Sequence, residues 1–182
     1  GKLDLVLANQ VGNNFNLLLN NGTRVFLPRI KYAAGGAPGG LLVGDYDGDG
    51  AAKLDLVLTL SDLGLVRVFN GTGNGRYRTD ATATKNDMTD ITVGQNPAGL
   101  ASGKLDGDNF PDLVVANQGD KTVSVILGTG KAPGFAATST AYPVGDQPVA
   151  VAIGDLNGDK VNDVAVVNRG GNNVSILYGV GD

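Results

Sequence analysis

Four residue types are missing from this sequence of 182 residues: cysteine, histidine, tryptophan and glutamate. Without histidine or cysteine there is no Ser-His-Asp or Cys-His nucleophile system, and no imidazole or thiolate that binds zinc. The lack of cysteine also excludes disulfides, although it does not identify the compartment. The commonest catalytic residue sets are therefore absent, and the sequence predicts a protein that is not an enzyme.

The charge balance and the hydropathy pattern argue against two kinds of partner. The chain has 14 basic and 18 acidic residues, a net charge of −4, which gives no reason to expect nucleic acid or an anionic membrane surface as a ligand. No apolar run approaches the ~18 residues that a membrane-spanning helix needs, so membrane insertion is not expected. The length suffices for one ordinary domain with a sizeable core.

All the acidic residues are aspartates, and 11 of the 18 fall in four short loops of similar sequence. Loop C, residues 155–163, reads Asp-Leu-Asn-Gly-Asp-Lys-Val-Asn-Asp, with side-chain oxygens at positions 1, 3, 5 and 9. Carboxylates ~4 Å apart repel by ~1 kcal/mol in water and ~4 kcal/mol near a protein surface, so such a cluster invites a cation. Ca²⁺ takes about six to eight oxygen ligands, including backbone carbonyls. The predicted ligands are the side chains of Asp155, Asn157, Asp159 and Asp163 and the carbonyl of Val161. The alternative is an Asx-rich turn that needs no metal.

Two further loops repeat this pattern with changes. Loop A, residues 45–55, has aspartates at positions 1, 3 and 5, but its closing aspartate comes two residues late. Its predicted ligands are the side chains of Asp45, Asp47, Asp49 and Asp55 and a carbonyl of either Ala51 or Lys53. Loop B, residues 104–112, offers the side chains of Asp106, Asp108 and Asp112 and the carbonyl of Phe110, but places Lys104 at position 1. The ammonium of that lysine either replaces the ion or weakens its binding, so the sequence predicts two calcium sites and leaves a third open.

A fourth copy is represented only by Gly1-Lys2-Leu3-Asp4, which matches positions 6 to 9 and predicts that the sequence begins inside a repeat. An EF-hand loop begins in a similar way but needs a glutamate at position 12. Counting twelve residues from Asp45 and from Asp155 gives Leu56 and Val166, which excludes an EF-hand.

Short apolar runs flank each loop and define a repeat of about 50 residues. A proline stands seven residues before the first position of each complete loop, at Pro38, Pro97 and Pro148. First strands are predicted just before the loops, at 41–44, 100–103 and 151–154. Second strands are predicted just after them, at 5–9, 56–60, 113–117 and 164–168, and their nearly continuous apolar sequence is typical of strands buried on both faces. Third strands are predicted at 15–19, 65–69, 122–127 and 174–178, and fourth, more polar strands at 24–32, 76–84 and 135–142.

Four antiparallel strands in each unit of this length are the pattern of a β-propeller blade. We therefore predict an all-β protein made of β-propeller blades of four antiparallel strands, with about 14 strands in groups of three, four, four and three. The chain is expected to be a single array over residues 1–182, divided at 1–40 (partial), 41–99, 100–150 and 151–182 (partial). About three and a half repeats make a partial propeller, so we expect either a part of a longer array or a protomer completed by another chain.

The segments 151–159 and 112–117 resemble the FG-GAP/VCBS repeats of integrin α-subunit propellers and of many bacterial surface proteins. The resemblance covers essentially the whole chain. It implies a propeller whose calcium loops join the first and second strands of each blade, and an extracellular or cell-surface location. The chain departs from the family pattern at Lys104, at Lys160, where glycine is usual, and in the two-residue insertion before Asp55.

Three functions remain open. The first, which the resemblance implies, is a calcium-stabilised, non-catalytic module for binding or adhesion to a protein or glycan ligand. The second is a structural building block, in which copies of the chain stack into a filament or surface layer. The third is an ancillary domain of a polysaccharide-acting enzyme. The seven aspartates outside the loops show no pairing suited to general acid and base work, and we expect them in solvated turns.

Three Asn-x-Ser/Thr sequons, at Asn21, Asn70 and Asn173, offer glycosylation sites in a secreted chain. The alternative for the first two is structural, because Asn-Gly is a favoured hairpin turn. Four aromatic residues are expected to pack between blades, namely Tyr46, Phe69, Tyr77 and Tyr142. The alternative is that they stack against sugar rings.

Overall fold

A computed structural model of the protein describes residues 3–23, 25–73, 75–79 and 87–181. These residues form 14 β-strands and no helix, and therefore none long and apolar enough to cross a membrane. The strands are β1 (Leu5–Asn9), β2 (Asn14–Leu18), β3 (Ile30–Ala33), β4 (Pro38–Gly44), β5 (Asp55–Leu60), β6 (Leu65–Phe69), β7 (Met88–Thr92), β8 (Pro97–Gly103), β9 (Asp112–Asn117), β10 (Thr122–Ile126), β11 (Thr140–Pro143), β12 (Pro148–Gly154), β13 (Asp163–Asn168) and β14 (Asn173–Leu177).

The strands form four antiparallel sheets, each made of strands that follow one another in the sequence. Sheet 1 contains β1–β3, sheet 2 contains β4–β7, sheet 3 contains β8–β11 and sheet 4 contains β12–β14. Short polar turns between the apolar runs allow each strand to pair with the next one along the chain. The predicted all-β class and the grouping of three, four, four and three strands are confirmed.

The first strands begin three residues earlier than predicted, at the prolines that precede the loops. Pro38, Pro97 and Pro148 are the first residues of β4, β8 and β12. Proline is tolerated there because the first residue of a strand need not donate an N–H to the ladder. The pairing register shifts just after each proline, so this end of each strand is irregular.

The fourth strands were predicted wrongly, because they begin later in the sequence. The strands are β3, β7 and β11, whereas the predicted ranges were 24–32, 76–84 and 135–142. Those earlier residues form single bridges to the preceding turn, through Phe26, Tyr77 and Phe135. Arg24 and residues 80–84 of the predicted strands lie outside the described residues.

The sheets pack face to face and bury the middle strands. Leu56 and Leu58 of β5 belong to a core cluster shared with sheet 1, whereas Val57 belongs to a cluster shared with sheet 3. A third cluster joins sheets 3 and 4 through residues such as Val114 and Val166. All six residues of β5 and of β9 are buried, as the continuous apolar sequence predicted.

The second strands of the outer sheets are not buried on both faces, contrary to the prediction. Leu5 and Leu7 of β1 remain 47% and 46% exposed, and Val167 of β13 remains 46% exposed. The physical reason is that sheets 1 and 4 each pack against one neighbouring sheet among the described residues. The same apolar sequence is therefore buried or half-exposed according to its place in the stack.

The first strands β4, β8 and β12 lie next to one another, where the backbones come close. A Cβ atom on Gly40 would lie 2.6 Å from the carbonyl oxygen of Ala98, so only glycine fits there. The linkers between sheets are fixed by turn aspartates: the backbone N–H of Ala37 donates to Asp62, and that of Gln95 to Asp120, at 2.7 and 2.6 Å. These two carboxylates are exposed as predicted, but each also binds the linker that leads into its own sheet.

Candidate metal centres

Loops A, B and C each join the first strand of a sheet to its second strand. They connect β4 to β5, β8 to β9 and β12 to β13, and the closing aspartate of each loop is the first residue of the second strand. Because β4, β8 and β12 lie side by side, loops B and C are also neighbours, and the side-chain amide of Asn162 donates to the carbonyl of Lys104 at 2.8 Å.

Loop A brings three of its predicted ligands together. One carboxylate oxygen from each of Asp45, Asp47 and Asp49 lies within 4.8 Å of the others. Ca²⁺–oxygen distances are about 2.3–2.6 Å, so two oxygens on one ion are at most ~5 Å apart. The spacing and the all-oxygen donor set therefore fit Ca²⁺. Among the residues that the structure describes, no other group of three carboxylates is this close.

The first aspartate of loops A and C holds the loop in its curved shape. The carboxylate of Asp45 accepts the backbone N–H groups of Gly48 and Gly50 at 2.9 and 3.1 Å. The carboxylate of Asp155 accepts those of Gly158 and Lys160 at 2.6 and 2.9 Å, and these hydrogen bonds lower its pKa. Lys160 adopts a φ of +72°, a conformation that glycine takes with less strain.

The closing aspartates connect each loop to a distant turn of the same sheet. Asp55 accepts the N–H of Tyr46 at 2.8 Å on one oxygen and that of Gly71 at 2.9 Å on the other. Asp112 and Asp163 have the same arrangement, with one oxygen accepting a loop N–H and the other a distant glycine N–H. The donors are Leu105 and Gly128 for Asp112, and Leu156 and Gly179 for Asp163. All three carboxylates are almost completely buried. We call this arrangement the aspartate clamp. Each carboxylate oxygen keeps a second lone pair, so the clamp is compatible with the predicted metal ligation.

The glycine of each clamp lies against the loop backbone. A Cβ atom on Gly71 would lie 2.5 Å from the carbonyl oxygen of Leu54, and one on Gly128 would lie 2.5 Å from that of Pro111. Leu54 is thus equivalent to Pro111, and Lys53 is equivalent to Phe110. The two additional residues of loop A, Ala51 and Ala52, lie in a turn. The turn is closed by a hydrogen bond of 2.8 Å from the backbone N–H of Lys53 to the carbonyl of Gly50. Of the two carbonyls predicted for loop A, this alignment favours Lys53 over Ala51.

Burial disfavours the ionised form of two carboxylates of loop A, those of Asp47 and Asp55. Burial raises the pKa of Asp55 to about 6, although its hydrogen bonds from Gly71 and Tyr46 oppose the rise and the charge of Asp47 adds to it. Burial likewise raises the pKa of Asp47, and the charges of Asp49 and Asp45 contribute. The ionised forms are disfavoured in this arrangement, and a bound cation would relieve that cost. Lys53 supplies part of the positive charge through a 3.1 Å ion pair with Asp49.

Loops B and C differ in their remaining donors. In loop B the Lys104 ammonium donates to the side-chain oxygen of Asn109 at 3.3 Å. The carboxylates of Asp106 and Asp108 each accept a hydrogen bond from the backbone N–H two residues later. In loop C, the amide of Asn157 donates to the Asp159 carboxylate at 2.8 Å. Asp159 also accepts the N–H of Val161, the residue whose carbonyl is a predicted ligand.

The three sequons have different environments. Asn21 and Asn173 are exposed. Asn70 is only 6% exposed, and its amide nitrogen donates to the Asp47 carboxylate of loop A at 3.1 Å. Because a glycan would have to be attached to that buried nitrogen, the folded chain favours the structural alternative for Asn70. Sequence reasoning missed its contact with loop A.

Three of the four aromatic residues pack between sheets. Phe69 and Tyr77 join Phe15 in a cluster between sheets 1 and 2, with ring centroids 5.0–6.4 Å apart. Tyr46 packs against Phe135 between sheets 2 and 3. Tyr142 is 43% exposed, so blade packing does not account for it.

The sequence profile of the FG-GAP-like repeat family matches residues 1–54 and 104–166. The chain belongs to the FG-GAP-like repeat family. The two matches cover all of loops B and C and loop A up to Leu54. Sheet 2 lies mostly outside them, yet it has the same strand order and the same aspartate clamp as sheet 3. No curated protein matches this FG-GAP-like chain.

Proposed function

We propose that this FG-GAP-like chain is a calcium-stabilised, non-catalytic β-propeller-type module that binds a protein or glycan outside the cell. The observation that carries the calcium proposal is the cluster formed by Asp45, Asp47 and Asp49, with oxygens within 4.8 Å of each other. The fold supports a propeller-type module, because consecutive antiparallel sheets pack face to face with their first strands side by side. The extracellular setting and the type of ligand come from the family resemblance.

In this proposal the ion has a structural role. In loop A, Ca²⁺ would bind the side chains of Asp45, Asp47, Asp49 and Asp55 and the carbonyl of Lys53. In loop C it would bind the predicted donors. Bound Ca²⁺ supplies positive charge that offsets the repulsion between the carboxylates. The residues of the loops already position these oxygens, through hydrogen bonds from the loop backbone and through the aspartate clamp.

The absence of an enzymatic role is part of the proposal. Two observations support it: the chain has no histidine, cysteine or glutamate, and the buried aspartates Asp55, Asp112 and Asp163 are engaged by backbone N–H groups. A carboxylate that accepts two backbone hydrogen bonds in the core is suited to holding the fold rather than to transferring protons with a substrate.

Calcium titration tests the proposal directly. We expect isothermal titration calorimetry to detect Ca²⁺ binding at loops A and C, and Ca²⁺ to raise the melting temperature relative to EDTA. Ca²⁺ at 100 times its dissociation constant would stabilise the fold by ~2.7 kcal/mol per site, which corresponds to about 5–10 °C for a chain of this size. Asp49→Asn should weaken binding, whereas Asp146→Asn, which changes an exposed aspartate outside the loops, should leave it unchanged. Equal melting temperatures in Ca²⁺ and EDTA would contradict the proposal.

A building block of filaments or surface layers is the second candidate, and the exposed faces of the outer sheets favour it. Leu5 and Leu7 on sheet 1, and Val167, Val174 and Ile176 on sheet 4, remain 41–57% exposed. Contiguous apolar surface of this kind often marks an interaction site. Native mass spectrometry at increasing protein concentration distinguishes the candidates, because stacking predicts assemblies that grow with concentration and a monomeric binding module does not.

A further inference from the structure

Asn70 lies outside the loops but contacts one carboxylate of loop A. It follows β6 directly and is 23 residues away from Asp47, whose carboxylate accepts a hydrogen bond from its side-chain amide at 3.1 Å. Its neighbour Gly71 donates to Asp55, and its own backbone N–H donates to the carbonyl of Asp87 at 2.9 Å. The backbone therefore fixes the position of the Asn70 side chain beside the acidic cluster.

The side-chain oxygen of Asn70 is a buried acceptor that lacks a donor. The residue is 94% buried, and Oδ1 accepts no hydrogen bond from the residues that the structure describes. A buried acceptor without a donor destabilises the folded state. The oxygen and nitrogen of an amide are nearly equal in size, so a 180° rotation exchanges their positions. After that rotation Oδ1 would take the place 3.1 Å from the Asp47 oxygen, a contact between two acceptors that a shared cation makes favourable.

The equivalent positions of the other sheets carry no amide. The residue 15 places after the closing aspartate is Leu19 in sheet 1, Leu127 in sheet 3 and Tyr178 in sheet 4. Asn70 thus accompanies the one loop that gathers three carboxylates among the described residues. The carboxylate cluster and a buried amide oxygen without a donor coincide at this place. The other such oxygens among the described residues belong to Asn16, Asn117 and Asn168.

We propose that Asn70 supplies a side-chain oxygen ligand to the cation bound by loop A. This inference rests on the proposed calcium-binding function and adds a ligand from outside the loop sequence. The ion would then connect loop A to the end of β6 as well as to β4 and β5. Asn70 would serve as a metal ligand rather than as a glycan acceptor.

Europium luminescence tests this ligand assignment. Eu³⁺ replaces Ca²⁺ at oxygen sites, and its lifetimes in H₂O and D₂O give the number of water molecules bound to the ion. In the 182-residue chain, loop C is silenced with Asp155→Asn and Asp159→Asn and loop B with Asp106→Asn and Asp108→Asn, so that the signal reports on loop A. Asn70→Leu should add about one water molecule to the ion and weaken Ca²⁺ binding at least ~10-fold. Asn70→Asp, which keeps an oxygen in place, should keep the water count and bind Ca²⁺ at least as tightly.

The controls separate the possible failures. Asn173→Leu, a substitution at the exposed sequon of sheet 4, should change neither the water count nor the affinity, and circular dichroism in EDTA checks that each variant folds. An unchanged water count in Asn70→Leu, or weaker Ca²⁺ binding in Asn70→Asp, would overturn the assignment and leave the proposed function intact. If the parent chain binds neither Eu³⁺ nor Ca²⁺, both proposals are wrong.

Discussion

Replacing Asp112 with alanine should destabilise the protein strongly, even without any metal. Asp112 is fully buried, and its two oxygens accept the backbone N–H groups of Leu105 at 2.6 Å and Gly128 at 2.8 Å. Loop B is the best place to measure the clamp alone, because Lys104 occupies the first ligand position there. All measurements are made in EDTA, so that the clamp is separated from any effect of calcium.

The magnitude follows from the two hydrogen bonds. Each buried N–H that loses its acceptor costs ~1–3 kcal/mol, and the Gly128 N–H is the more deeply buried of the two. We therefore expect Asp112→Ala to reduce the free energy of unfolding by about 3–5 kcal/mol. Domains typically have a stability of ~5–15 kcal/mol, so this is a large fraction of the total.

Urea denaturation followed by circular dichroism measures the effect. With a slope of ~2 kcal/mol per molar urea, the midpoint should fall by about 2 M. Asp146→Ala is the matched control, because this exposed carboxylate forms a surface ion pair with Lys121 at 3.2 Å, whose loss should cost ~0–1 kcal/mol. If Asp112→Ala shifts the midpoint no more than the control does, the aspartate clamp does not stabilise the fold.

Three further outcomes are expected. Gly128→Ala should lower the free energy of unfolding by ~1–3 kcal/mol in urea denaturation, because the new Cβ would meet the backbone of loop B. Gly154→Ala should be nearly neutral, because a Cβ there meets nothing within 4 Å. Equal effects of the two substitutions would contradict the close approach at Gly128. Lys104→Asp should create an additional Ca²⁺ site in loop B, seen as a higher stoichiometry in calorimetry, and unchanged stoichiometry would show that position 1 is not what limits this loop. Arg67→Lys should lower the melting temperature by several degrees, because lysine cannot reproduce the paired 2.6 Å hydrogen bonds to Asp90; an unaltered melting temperature would show that the paired geometry contributes little.

Periodic apolar runs made the second and third strands predictable to within about one residue. The ends of these strands could be read from the local sequence, because polar turn residues bound each run of about five apolar residues. The fourth strands were harder. Tyr77 and Phe135 fall within the predicted ranges, but their side chains pack between sheets from segments that form only single bridges. Burial of an aromatic ring does not require a strand, so the local sequence was ambiguous.

The sequence predicted which residues line the loops, but not what each carboxylate contacts. The pattern of alternate oxygens identified Asp45, Asp47 and Asp49, and these come together in space. The role of Asp55 in binding Gly71 depends on a contact between residues 16 apart, which no local pattern describes. A signal for it does exist, because a glycine follows the closing aspartate by 16 residues in three of the four copies. Asn70 has no such repeated signal, since it occurs in only one copy.

The fixed distance from the closing aspartate to its glycine determines where this repeat tolerates changes of length. The repeats of this chain differ in length only outside that interval. Ala51 and Ala52 lengthen one loop before its closing aspartate, and the stretch from Gly71 to Pro97 is longer than the one from Gly128 to Pro148. One added residue inside the interval would move the glycine out of reach or turn every following side chain to the opposite face. Foreign peptides should therefore be grafted between the two alanines or beyond the glycine, which makes the chain a scaffold with permissive and forbidden insertion points.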